Sequence, residues 1–223
     1  MRTICFEVLN LSEIMPFMYQ FLIAFLLVST TPIFCQAFLD VDGLPCALEG
    51  SAKRSNDQAL NKLKNRYSFP QQTDIDTAFN WTELSKFEED SRKFDIKKAA
   101  ILRGYVLRVR MSPKETCNCN SENPEFRDTH IILTPSRERT GVLDQIIVEV
   151  TPRMRFLMKQ QGIDWSQAAL KKLHGRTIEV QGWLLYDFKH GDQSAKIRQK
   201  TKGVTRSTAW EIHPITHIKV IKV

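Results

Sequence analysis

The stretch AAILRGYVLRVRM, residues 99–111, decides the fold. It is rich in aliphatic residues, lacks proline and carries one interior glycine, Gly104, so it reads as a long strand that has to bend. Four more stretches of this texture follow. DTHIILTP (128–135) and DQIIVEVTP (144–152) are each stopped by a proline. RTIEVQGWLLYD (176–187) again has an interior glycine, Gly182, and AWEIHPITHIKVIKV (209–223) contains Pro214, which marks a bulge or a bend. In the second stretch Ile131 and Leu133 alternate with His130 and Ile132. In the third, Ile146, Val148 and Val150 alternate with Ile147, Glu149 and Thr151. The wholly aliphatic faces belong inside, which turns His130 and Glu149 outward as cross-strand neighbours.

Between the third and fourth strands lies the strongest helix signal. Asp164 and Gln167 make a capping-box-like pair, Trp165, Ala169, Leu170 and Leu173 form an apolar stripe, and Gly175 ends it. Three strands, one helix and two strands, with glycines inside the first and fourth, is the order of a five-stranded OB-fold barrel. The expected fold is therefore mainly β, with the barrel over residues 98–223.

Upstream, the chain changes character twice. Residues 17–34, FMYQFLIAFLLVSTTPIF, followed by Cys35, Gln36 and Ala37, read as the apolar core and cleavage region of a secretory signal peptide spanning 1–37. Met15 or Met18 then becomes the expected start, and a periplasmic or secreted location follows, with no stable membrane span after cleavage. Residues 38–97 read as a polar extension with two short helices that lie on the main domain. The first is capped by Asn56, carries Leu60, Leu63 and Tyr67 and stops at Pro70. Its cations Lys62, Lys64 and Arg66 are expected to solvate it. The second carries Trp81, Leu84 and Phe87.

A formal charge of +7 points to an anionic partner. After leader removal the cysteines are Cys46, Cys117 and Cys119, an odd set that in an oxidising compartment gives one disulfide and one thiol. Pairing of Cys46 with either Cys117 or Cys119 would tie the extension to the barrel.

The candidate ligand-binding residues form three groups. His130 and Glu149 lie on the outer face. Asp187, His190, Glu211 and His213 converge at the base of the loop 188–208, but no H-x-x-x-H or C-x-x-C spacing assigns a metal, and no cofactor is expected. That loop also carries Lys189, Lys196, Arg198, Lys200, Lys202 and Arg206 against one acid, Asp192. Together with Arg108 and Arg110 it could follow a phosphate backbone, with Trp183 and Trp210 as stacking platforms, although Trp210 also suits the core. No G-x-S-x-G, Walker loop or H-E-x-x-H is present, and no catalytic residues are assigned.

The segments G-Y-V, E-T-C-N-C-N, D-T-H-I-I-L, V-E-V-T-P-R, V-Q-G-W and W-E-I-H-P-I, spread over residues 97–223, resemble those of small exported bacterial OB-fold proteins whose function is not established. The resemblance implies the fold and export rather than an activity. The expectation is a binding module, not an enzyme, for an anionic polymer or a protein partner in the cell envelope. Single-stranded nucleic acid is the alternative ligand. A metal-dependent enzyme of the staphylococcal-nuclease kind, with Asp187, Glu149 and Arg153 as its residue types, is the enzymatic rival.

Overall fold

A computed structural model describes residues 39–41, 44–86, 89–194 and 206–222. The expected signal peptide lies outside them. Residues Cys35–Val223 belong to one compact unit, and among the described residues no helix is long and apolar enough to cross a membrane.

Two three-residue strands, β1 (Leu39–Val41) and β2 (Leu44–Cys46), form a hairpin. Helices α1 (Ser55–Lys64) and α2 (Trp81–Lys86) follow. The barrel strands are β3 (Ala99–Met111), β4 (Thr129–Thr134), β5 (Ile146–Val150), β6 (Thr177–Tyr186) and β7 (Trp210–Val220). They close in the order β3-β4-β5-β7-β6. All neighbours are antiparallel except β5 and β7, which run parallel where Ile147 meets Glu211 and Val148 meets Ile212. This is the OB-fold barrel, mainly β, with the described helices in the connections and the extension.

The core is the barrel's interior, filled by Val106, Ile131, Leu133, Ile146, Val148, Val150, Ile178, Val180, Leu184, Ile212 and Ile215. Phe79, Leu84 and Phe94 of the extension close one end against Trp210, whose indole stands edge-on to Phe94 at 5.2 Å. Trp210 is thus a core residue, and its N–H donates to the Asp90 carbonyl. Gly182 is needed for closure: a Cβ there would sit 2.3 Å from the Pro214 carbonyl oxygen. The register between β6 and β7 shifts on both sides of Gly182, which is where the strands bend.

The β5–β6 connection holds two helices where the sequence suggested one. The added one, α3 (Pro152–Gln160), is capped by the Thr151 hydroxyl with proline at its first position. The other, α4 (Gln167–Lys171), starts two residues later than the capping-box reading: Ser166 is the cap, while Asp164 accepts from the Ser166 N–H.

Candidate functional site

The outward side chains of β4, β5 and β7 meet in one cluster. His130 faces Glu149 across the β4–β5 ladder, with Nε2 3.1 Å from Oε1. The parallel β5–β7 pairing delivers His213 to the same place, its Nδ1 3.4 Å from Glu149 Oε2 and 3.3 Å from Glu211 Oε2. Its Nε2 lies 4.0 Å from Asp128 Oδ2, just before β4. The turn after β3 adds Cys117, whose thiol is 3.7 Å from Asp128 and 3.6 Å from Glu115. Two groups read separately from sequence, His130 with Glu149 and Glu211 with His213, are therefore one.

The expected exposure of this face does not hold. His130 and Glu149 are 3% and 2% exposed, Glu211 and His213 0%. Every residue of β4 and β5 is buried, inward or outward. The cover is the N-terminal extension, fastened by polar side chains, of which Lys64 and Arg66 were expected in solvent. Lys64 points inward and bridges Glu115 (2.7 Å) and Asp187 (2.6 Å). Asn65 donates to the carbonyls of Leu48 and Cys117, and Asn61 to that of Glu49. Arg66 spends its guanidinium on the carbonyls of Ile96, Leu184 and His213. A disulfide joins Cys46 to Cys119, leaving Cys117 as a buried thiol. Gly50 passes so near the turn that a Cβ would lie 1.8 Å from the Thr116 carbonyl oxygen.

Burial sets the protonation chemistry. Desolvation alone would neutralise Lys64, but the carboxylates of Glu115 and Asp187 outweigh it and hold its pKa well above the usual value. Burial likewise opposes ionisation of Glu115, yet Lys64 brings its pKa down to about 2. Arg206, expected in a solvated basic loop, is buried and paired with Glu211; against desolvation, this partner keeps the Glu211 carboxyl well below the normal range. Glu149 goes the other way, pushed well up by burial and then by the Glu211 charge. Desolvation drops His130 to about 4. His213 is raised because Glu149 and Glu211 overcome its burial. The Cys117 thiol is pushed well up by burial and by Asp128 and Glu115.

Lys64 thus pairs with Glu115 and Asp187, and Arg206 with Glu211. Among the described residues, Asp128 and Glu149 have only imidazoles within ion-pair distance. Asp128, Glu149 and His213 present ligand atoms that all lie within 4.8 Å of one another, and a second triad, Glu115, Cys117 and Asp128, shares Asp128. At the rim, Asn61, Lys64, Glu115 and His190 line a hollow of about 220 Å³.

The other sequence candidates scatter. His190 sits 3.7 Å from Asp187 at the rim, and Lys189 pairs with Asp57 of α1 at 3.0 Å. Arg110 is half-buried, and Arg108 is exposed. Trp183 is not an open stacking platform, because Arg66 lies over its ring at 5.2 Å and its N–H donates to the Ser68 carbonyl. Arg153 holds the extension through the Cys46 and Ala47 carbonyls. Lys196, Arg198, Lys200 and Lys202 lie outside the described residues. Asp128, Glu115 and Lys64 were missed: Asp128 reads as mere strand flank, and only its neighbours in space give it a role.

A second concavity escaped sequence reasoning. Arg103 and Tyr105 of β3, Arg137 after β4, Arg176 at the start of β6 and Lys222 after β7 line a groove of about 850 Å³. All four cations are exposed, and among the described residues no carboxylate lines the groove. Ser136 and Thr177 add hydroxyls to its wall. No protein-family model matches this chain and no curated protein aligns with it.

Proposed function

We infer that the protein is an OB-fold binding module for an anionic polymer, exported as its leader suggests. The observation that carries this reading is the groove that Arg103, Arg137, Arg176 and Lys222 line with Tyr105, with no acid among the described residues of the lining. Four like charges around one concavity repel each other and favour a polyanion, and the Tyr105 ring offers a base or sugar face a stacking surface. The face where OB-folds usually take ligands is closed here by the extension, so a polymer has to bind elsewhere. Hydrolysis is not part of the reading, because among the described residues the acid–histidine cluster is covered.

Fluorescence anisotropy of a labelled single-stranded oligonucleotide, with an acidic polysaccharide as competitor, tests it. With four phosphate contacts, log affinity falls against log salt with a slope of about −3. Arg137→Ala with Arg176→Ala weakens binding of whichever polymer is taken. Absence of binding to either polymer at low salt removes the reading.

A protein partner is the second reading. It is favoured by the hollow of about 480 Å³ under α3, where Phe126, Phe156, Ile163 and Trp165 present apolar surface. A partner seated there would be lost on Phe156→Ser and kept on Arg137→Ala.

A further inference from the structure

The buried cluster has a use that the groove reading does not absorb. Asp128, Glu149 and His213 each hold a buried polar atom without a hydrogen-bond partner among the described residues: Oδ1, Oε2 and Nε2 respectively. Leaving such groups dry and unpaired is costly, and cores tolerate it only where something else satisfies them. We propose that Asp128, Glu149 and His213 bind one divalent transition-metal ion, zinc foremost, beneath the N-terminal extension.

The donors suit that class of ion. Two carboxylates and an imidazole make a mixed O/N set, which favours zinc and its first-row neighbours over calcium or magnesium, whose sites use oxygen alone. Tetrahedral coordination at zinc distances sets donors about 3.4 Å apart, so the present separations, within 4.8 Å, close by small side-chain rotations. The imidazole is already oriented. Glu211 Oε2 and Glu149 Oε2 lie 3.3 and 3.4 Å from His213 Nδ1, Nε2 faces Asp128 at 4.0 Å, and Arg206 in turn fixes Glu211. A carboxylate behind a ligating histidine is the usual supporting shell of a metal site. Charge agrees, since Asp128 and Glu149 are the two cluster carboxylates that neither Lys64 nor Arg206 pairs. Cys117, 3.7 Å from Asp128, is within reach as a soft fourth donor.

The full chain, purified without chelator, is analysed for metal. It is then stripped by dialysis against a chelator and titrated with zinc by calorimetry, with thermal melting alongside. One zinc per chain and a raised melting midpoint are expected. Asp128→Asn, which keeps the shape and removes a charge, weakens binding more than about 100-fold. Glu211→Gln, which touches the ion only through His213, weakens it about 10- to 100-fold. His190→Ala, at the rim, leaves affinity unchanged. Wild-type protein that carries no stoichiometric metal, and whose melting is unmoved by zinc, manganese or cobalt, overturns the proposal without reference to any variant. So does full affinity in a folded Asp128→Asn protein. Loss of polymer binding in the groove bears on neither result.

Discussion

On strands β4 and β5 the inward side chains Ile131, Leu133, Val148 and Val150 and the outward ones His130 and Glu149 are all buried, yet the two sets reach that state by opposite physics. The inward set leaves water favourably, at roughly 25 cal/mol per Å² of apolar surface. The outward set leaves water at a cost that only partners can offset. Lys64, Arg206 and the lid that carries Lys64 are those partners. An alternating strand pattern therefore says which side chains share a face, and says nothing about whether the polar face is wet.

The comparison breaks most sharply at Arg206. Arg206→Met leaves Glu211 charged in a dry site, and urea denaturation in the presence of a chelator should show a loss of about 3–5 kcal/mol. The double replacement Arg206→Met with Glu211→Leu should lose clearly less than the single, because no orphan charge remains. On the inward face Leu133→Ala should cost about 2–5 kcal/mol by removing transfer energy and leaving a cavity, and no compensating second change on the same face should restore it. If the Arg206 double variant were as damaged as the single, the outward network would be packing rather than charge compensation.

The lid is a separable part of that network. Cys46–Cys119 closes a loop of 73 residues in sequence separation, and Cys46→Ser should cost about 2–4 kcal/mol. Hydrogen exchange localises the loss. Amides of α1 and of the turn at Thr116–Asn118 should exchange faster, while β3 and β6, which pair along Ala99–Tyr105, should keep their protection. Uniform loss of protection across the barrel would mean that lid and barrel unfold as one.

The strands were legible because their signals are local. The reading of residues 99–111 coincides with β3, and Gly182 stands where β7 crowds β6. The His130–Glu149 pairing was legible for the same reason, since an antiparallel pairing of two adjacent strands brings the start of one near the end of the other. Helix α3 was hidden in plain sight: Thr151-Pro152 ends a strand, but it is equally a cap followed by a proline at the first helical position. The burial of the site was not legible at all. It depends on contacts such as Arg153 with Cys46, 107 residues apart, and on a helix that buries Asn61 and Lys64 beside the expected Leu60. A lysine that serves as a buried counter-charge looks, in sequence, like one that solvates a surface.

The groove gives the smallest expected effect on folding and sharpens the comparison from the other side. Arg137 and Arg176 are exposed, face no carboxylate in the groove and make no ion pair among the described residues. Removing either should move stability by no more than about 0.5 kcal/mol. Removing both should, if anything, stabilise the chain slightly, because two like charges no longer repel. The same pair of changes should reduce affinity for the anionic polymer and flatten its salt dependence by about 0.7 per lost phosphate contact. Arg137 and Arg176 have no ion-pair partner among the described residues, whereas Lys64 and Arg206 are explained by the carboxylates they pair with. Denaturation and salt-dependent binding measured on one set of variants separate the two: a change that moves stability and leaves binding intact belongs to the covered face, and one that moves binding alone belongs to the groove.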